Sequence, residues 1–459
     1  MLDDMFDSVM SLRDGPVWQS LPDEIRSEIR TQPCPEQGHD PKELYSRFTS
    51  HILPYAVGNR HPGFMGWVHG GGTLQGMLAE MLAAGLNANL GGRDQAPVEL
   101  ERTVLRWTAQ MAGLPEDSSG VLVTGSSMAN FIAILTATRA VSNGADIRRS
   151  GLNGRPLTGY AAVTAHGCIS RGFDMAGLGT EALRLIPADE NFRMDTQKLR
   201  AAIREDRAAG REPFMLTGSA GTVDTGSIDP LNELADIAKE ENLWFHVDGA
   251  FGALARLSPD LAPMLAGIER ADSLALDFHK WGQVPYDAGC IIIRDAIQHR
   301  ATFAQNLAYL SRETRGLAAG SPWFCDFGPD LSRGFRALKV WMTLATFGTE
   351  RLGQMVSGCC AVARHLADRI RQEPELELLA PVTLNIVCFR VRAPDALSDE
   401  LNSELVRDIQ ESGVAAPSAT TINGRRAIRC AIVNHRTTEA DTDRFMDALL
   451  KRAGERSAR

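Results

Sequence analysis

The chain has 459 residues, is 44% hydrophobic and 23% charged, and carries a formal net charge of −9 at pH 7. That is the balance of an ordinary globular protein too long for one average core, so a large domain with a smaller companion is expected. The acidic charge without a Lys/Arg block argues against nucleic acid or an anionic membrane surface as partner, and no window approaches the roughly twenty apolar residues of a membrane span.

The start, Met1-Leu2-Asp3-Asp4-Met5, is acidic and lacks a signal-peptide layout, which points to a cytoplasmic protein. Its eight cysteines include no C-x-x-C pair, so neither a disulfide framework nor a metal site is expected. Residues 1–31 read as helical from the spacing of Val9, Met10, Leu12, Ile25 and Ile29. Pro33, Pro35 and Gly38 mark a linker, and a further helix is expected over 42–52. A segment of this size cannot build its own core, so residues 1–73 are expected to pack on a partner subunit. Within it, His61-Pro62-Gly63-Phe64-Met65-Gly66-Trp67-Val68-His69-Gly70 is aromatic and glycine-rich without periodicity. It is a pocket wall or a plain connecting loop.

Helices are expected over 74–86 and 98–111, separated by the polar loop 87–95. From 120 to 293 short apolar runs alternate with helical segments. The strands fall near 121–124, 160–164, 183–186, 213–217, 243–247, 271–281 and 289–293, and the helices near 129–140, 166–177, 195–209 and 231–241. Such alternation is the pattern of βα units, hence an α/β fold with a mostly parallel sheet flanked by helices. A helix over 332–347 and the alternations at 385–390 and 427–432 predict a small α+β domain. The expected organisation is 1–73, a large domain over 74–347, and 348–459.

Two polar residues stand out in this scaffold. Asp248 ends the apolar run Leu243-Trp244-Phe245-His246-Val247, and Lys280 follows 32 positions later at the close of another. A buried carboxylate and a buried amine each need a partner. Pyridoxal phosphate answers both, because its aldehyde takes a lysine as a Schiff base and its ring nitrogen takes a carboxylate. Both residues sit at the carboxyl edge of the sheet, where such architectures bind ligands. Gly125-Ser126-Ser127, between a strand and a helix, is a plain N-cap or a phosphate site. His166 opens another helix at the same edge, as a satisfied helix-start histidine or as a ring-stacking proton carrier. The turn at 220–226 offers Thr222.

Taken with Val98-Glu99-Leu100-Glu101, His246-Val247-Asp248-Gly249-Ala250, Asp277-Phe278-His279-Lys280-Trp281 and Phe335-Arg336-Ala337-Leu338-Lys339, the chain resembles the group II pyridoxal-phosphate-dependent amino acid decarboxylases. The resemblance implies a fold-type-I homodimer with active sites at the subunit interface and an amino acid substrate. It implies Lys280 as the Schiff-base lysine and Asp248 as partner of the ring nitrogen, with His166 above the ring and Ala250 below. Ser126, Ser127, Asp277 and His279 would serve the phosphate, and Thr222 would lie beside the ring. Tyr309 matches a catalytic-loop tyrosine that protonates the substrate carbon after CO2 leaves. The resemblance implies decarboxylation of an L-amino acid, aromatic by first expectation, with Trp67, His69 and Gly70 as the substrate wall. The runner-up readings are an acidic or polar substrate met by His69 or Arg93, or another reaction on the same fold: aldolase, aminotransferase or oxidative aldehyde formation. Gly249 stands where the family usually has alanine.

Overall fold

The structure, a computed structural model, describes residues 1–141, 147–305 and 312–457. It divides into two compact units, one formed by Gly72–Gly358 and the other by Met1–Gly71 with Cys359–Arg459.

The larger unit is built on a seven-stranded sheet: β1 Ser119–Val123, β2 Leu157–Ala162, β3 Leu183–Ile186, β4 Glu212–Ser219, β5 Trp244–Asp248, β6 Ser273–Asp277 and β7 Gly289–Ile293. Their spatial order is β1-β7-β6-β5-β4-β2-β3. Strand β7 runs antiparallel to both β1 and β6, while the pairs β2–β3, β2–β4, β4–β5 and β5–β6 are parallel. Every residue of β2, β6 and β7 is buried, as expected of strands covered on both faces, and this is why their sequences read as continuous apolar runs. The helix Ser126–Ala140 buries Ala129, Ile132, Ala133, Ile134 and Ala137. Tyr160, Phe173, Phe214, Phe245 and Trp281 fill the core on the two sides of the sheet with almost no exposure.

Most expected elements appear, and three (Leu74–Leu86, Leu183–Ile186 and Gly289–Ile293) match to the residue. The helix expected from residue 129 begins at Ser126, whereas the one expected from His166 begins at Cys168, leaving His166 in the turn before it. The helical stretch Arg336–Gln372 is interrupted at Gly348, whose φ of 72° lies in the left-handed region that favours glycine.

The smaller unit carries a five-stranded sheet in the order Phe64–Met65, Ala416–Ile422, Arg425–Ala431, Ile386–Val391 and Leu376–Leu378. Its first pair is parallel and the rest antiparallel. The single helical run expected over 1–31 is instead two α-helices, Leu2–Met10 and Asp23–Thr31. Gly15, Pro16 and Pro22 lie between them, and proline removes the N–H that a continuous helix needs. The Asn434 side chain donates to the carbonyls of Asn59 (3.1 Å), Arg60 (2.9 Å) and His61 (3.2 Å), tying the aromatic segment's entrance to the C-terminal part. Among the described residues no helix is long and apolar enough to cross a membrane.

Candidate active site

Strands β5 and β6 are adjacent and parallel, with Asp248 opposite Ala275, so Asp248 and the loop carrying Lys280 emerge at one edge. The Asp277 N–H donates to the Ala250 carbonyl (2.9 Å), joining the two strand ends directly.

Asp248 is buried. Its Oδ1 accepts from the Ala250 N–H at 3.1 Å and its Oδ2 from Asn130 Nδ2 at 3.3 Å. Burial pushes its proton affinity up, opposed by the nearby Lys280 charge. Cys168 approaches the same oxygen at 3.9 Å, and burial raises its thiol to about 12, so it stays protonated.

Lys280 Nζ lies 2.8 Å from Asp277 Oδ2, with the lysine side chain 21% exposed. Burial is the largest influence and works against the ammonium, but the charge and hydrogen bond of Asp277 together with the Asp248 charge outweigh it and raise the lysine above its ordinary range. Burial would likewise raise Asp277, yet Lys280, His279 and Ser126 together hold it below the usual carboxylate range. Ser126 gives Asp277 its backbone N–H (2.7 Å) and its hydroxyl (2.6 Å). His279 accepts the Ala288 N–H on Nδ1 at 3.1 Å, which leaves Nε2 toward Asp277 at 3.6 Å. The Tyr286 ring lies against His279 with centroids 4.3 Å apart.

His166 is exposed at the start of Cys168–Met175, its Nδ1 accepting the Cys168 N–H at 3.2 Å. Its charged form acts on Asp248, so the two lie within electrostatic reach. Ser127 is exposed at the same helix start as Ser126. Gly125 is held by a close approach, since a Cβ on Gly289 would stand 2.4 Å from the Gly125 Cα. Gly249 has a similar reason, because a Cβ there would lie 2.6 Å from that of Ala253.

Ser126, Asp248, Ala250, Asp277, His279 and Lys280 therefore converge, with His166 and Ser127 on the open side. The hydroxyl of Thr222 is engaged within its own turn, 3.1 Å from Thr225 Oγ1 and 2.8 Å from Ser227 Oγ. Trp67, His69 and Gly70 belong to the smaller unit. There, the Trp67 and His69 rings stack at 5.9 Å, Phe64 stacks on His69 at 5.7 Å, and Asn59 Nδ2 donates to the Gly70 carbonyl at 2.8 Å. Tyr309 lies outside the described residues. Asn130, Cys168 and Tyr286 join the site without a role expected from sequence. Only Asn130 carried a signal, one helical turn beyond Ser126 and hence on the same face.

This donor set fits pyridoxal phosphate. A buried carboxylate has lone pairs left for a ring N–H, a reachable amine stands beside it, and a glycine-tight turn opens a helix next to both. The fit has one tension, because both Ser126 donors are engaged by Asp277 and a phosphate there would compete for them.

The comparisons with known proteins agree with this chemistry. Over 458 residues the chain is 33% identical to an aromatic-L-amino-acid decarboxylase of Bacillus atrophaeus, covering 98% of this chain and 92% of that protein. It is 27% identical to a phenylacetaldehyde synthase of Arabidopsis thaliana, covering 94% and 90%. The solved structure of Oryza sativa TDC with PLP and tryptamine superposes with a TM-score of 0.89 at 26% identity, covering 99% of this chain and 96% of that one. Residues 22–392 match the pyridoxal-dependent decarboxylase conserved domain, and the chain belongs to that family.

Proposed function

We propose that the protein decarboxylates an L-amino acid, an aromatic one in the first instance, to the corresponding amine and CO2, and works as a cytoplasmic homodimer with active sites at the subunit interface. What supports the chemistry is one observation above the rest: Asp248 and Lys280 stand at the ends of adjacent strands, the carboxylate buried and the amine reachable. Bound pyridoxal phosphate supplies the aldehyde that takes up the substrate amine and the ring that accepts the electron pair of the broken bond.

In this reading Asp248 keeps the ring nitrogen protonated, a preorganised charge of the kind that is often the largest catalytic contribution. Lys280 would anchor the cofactor and free the product amine, while Ser126, Ser127, Asp277 and His279 would hold the phosphate end. Ala250, His166 and Thr222 would hold the ring. Tyr309 or His166 returns a proton to the substrate Cα. Supporting an aromatic substrate is the likeness to the Bacillus atrophaeus enzyme, with Trp67, His69 and Gly70 as the proposed substrate wall.

The likeness to a phenylacetaldehyde synthase favours a second reading, oxidative release of an aldehyde. Holoenzyme incubated with a panel of L-amino acids, with CO2, amine, keto acid, aldehyde and peroxide all measured, separates the two. CO2 with a stoichiometric amine is the expected result. Keto acid without CO2 would sink decarboxylation, and aldehyde with peroxide would establish the second reading. Tyr309→Phe is expected to lower the amine yield.

A further inference from the structure

Asp248 is the last member of a buried file of hydrogen bonds. Alternation along β5 puts Trp244, His246 and Asp248 on one face of the sheet. Ser273 of β6 is the register partner of His246. Trp244 Nε1 donates to Ser273 Oγ at 2.7 Å, and that hydroxyl meets His246 Nδ1 at 2.8 Å. His246 Nε2 meets Asn130 Oδ1 at 2.7 Å, and Asn130 Nδ2 reaches Asp248 Oδ2 at 3.3 Å and Cys168 Sγ at 3.1 Å. His246, Ser273 and Asn130 are all fully buried.

The chemistry of the groups fixes the direction of every bond. An ionised carboxylate only accepts, so the Asn130 amide nitrogen faces Asp248 and its oxygen faces His246. That oxygen only accepts, so His246 carries its proton on Nε2. Burial depresses the His246 pKa to about 3, so the ring is neutral and Nδ1 is an acceptor. The Ser273 proton therefore points at Nδ1, and the serine oxygen accepts from the indole N–H, which can only donate. All four donors point toward Asp248, an arrangement in which each bond polarises the next.

We propose that His246 and Asn130 are positioning residues of the cofactor site. With Ser273 behind them, they hold the Asp248 carboxylate in one orientation and supply one oxygen with a donor, directing its remaining lone pairs at the cofactor's ring nitrogen. This rests on the reading of Asp248 as the partner of that nitrogen. Ordinary satisfaction of buried polar groups makes a different prediction, since a defect in packing would not depend on which atom occupies the cofactor's ring position.

The test is cofactor affinity, measured by titrating full-length apoprotein with pyridoxal phosphate and, separately, with its 1-deaza analogue. The analogue keeps the aldehyde and phosphate but has carbon in place of the ring nitrogen. His246→Leu and Asn130→Leu are each expected to weaken pyridoxal phosphate about tenfold, the scale of one hydrogen bond to a charged group, and to leave the analogue's affinity unchanged. His246→Gln, which can keep a donor near the Nε2 position, is expected to recover most of the loss. Equal losses for both ligands, or no loss for either, would overturn the proposal. Should His246→Leu not fold, Ser273→Ala removes a single hydroxyl and carries the same selective expectation. Asp248→Asn separates the role of Asp248 from that of His246. If it fails to discriminate between the ligands, Asp248 is not the nitrogen's partner and the reading beneath fails. If it discriminates while His246→Leu does not, only the positioning role is lost.

Discussion

Ser126 donates to Asp277 twice, from its backbone N–H at 2.7 Å and its hydroxyl at 2.6 Å, and the Lys280 ammonium lies 2.8 Å from the same carboxylate. An acid at the start of the helix Ser126–Ala140 thus holds the amine charged, although the neutral amine is what attacks an aldehyde. Asp277→Asn removes the charge that lifts Lys280 and leaves the burial that lowers it. Each unit by which the lysine falls gives about tenfold more neutral amine below its pKa. The rate at which apoprotein captures pyridoxal phosphate, followed against pH in a stopped-flow instrument, should shift its midpoint to lower pH. An unchanged or upward-shifted profile would remove Asp277 from this role.

Lys280→Ala should abolish both the cofactor's visible absorbance and all turnover while leaving the fold intact by circular dichroism. A coloured, covalently loaded Lys280→Ala protein would mean that another amine holds the cofactor.

Glu101 and Arg333 form an ion pair in which both side chains are essentially unexposed. Arg333 also donates to the Leu90 (3.0 Å) and Leu122 (2.7 Å) carbonyls, and Glu101 accepts the Leu122 N–H at 3.0 Å. Removing one partner strands a buried charge, so Glu101→Ala should cost about 3–5 kcal/mol in urea unfolding at neutral pH. The double change Glu101→Met with Arg333→Met should cost less than the single one. Additive losses would show that the pair is not coupled.

His246 and His299 are both buried, and burial lowers each from 6.5 to about 3. The unfolded chain takes up these protons near pH 6.5 while the folded chain does not. Their contribution is therefore complete above that pH and is lost as pH falls toward 3, at up to about 1.4 kcal/mol per pH unit for each histidine. His299→Leu sacrifices the 2.8 Å bond to Ser119, so it should be less stable at pH 7.5. Its stability should nevertheless fall less steeply than that of the parent between pH 6.5 and 4.5. Parallel curves of unfolding midpoint against pH would refute the assignment.

Gly289→Ala would drive a Cβ to 2.4 Å from the Gly125 Cα, and backbone cannot yield as the end of a side chain can. The Gly125–Ser126 turn must shift, so affinity for pyridoxal phosphate should fall by more than global stability does. The comparison is a cofactor titration beside a thermal melt; an unaltered titration would show that the turn tolerates the shift.

Much of this was legible along the chain because it rests on local physics. Continuous apolar runs such as those of β6 and β7 announce strands covered on both faces, and Asp248 and Lys280 were conspicuous because charge at the end of such runs demands a partner. The family motifs around them carried the cofactor and reaction class. The break in the N-terminal helices was also written locally, in Gly15, Pro16 and Pro22, but apolar spacing alone had bridged it.

Other relationships join residues whose separation in sequence says nothing of their distance. Asn130 meets His246 across 116 positions, Ser126 meets Asp277 across 151, and Glu101 meets Arg333 across 232. A hydrogen bond depends on sub-ångström geometry that only the assembled sheet and its covering helix set. The cofactor, the family and the order of the strands along the chain follow from residue type and short-range pattern, and so could be read before folding. That Asp277 rather than an open helix start receives Ser126, that Thr222 is engaged within its own turn, and that Asp248 stands at the end of a buried file of donors came only with the folded chain. Each of those outcomes is a competition among polar groups for the same partners, and it is settled by which of them the fold brings within 3 Å or so.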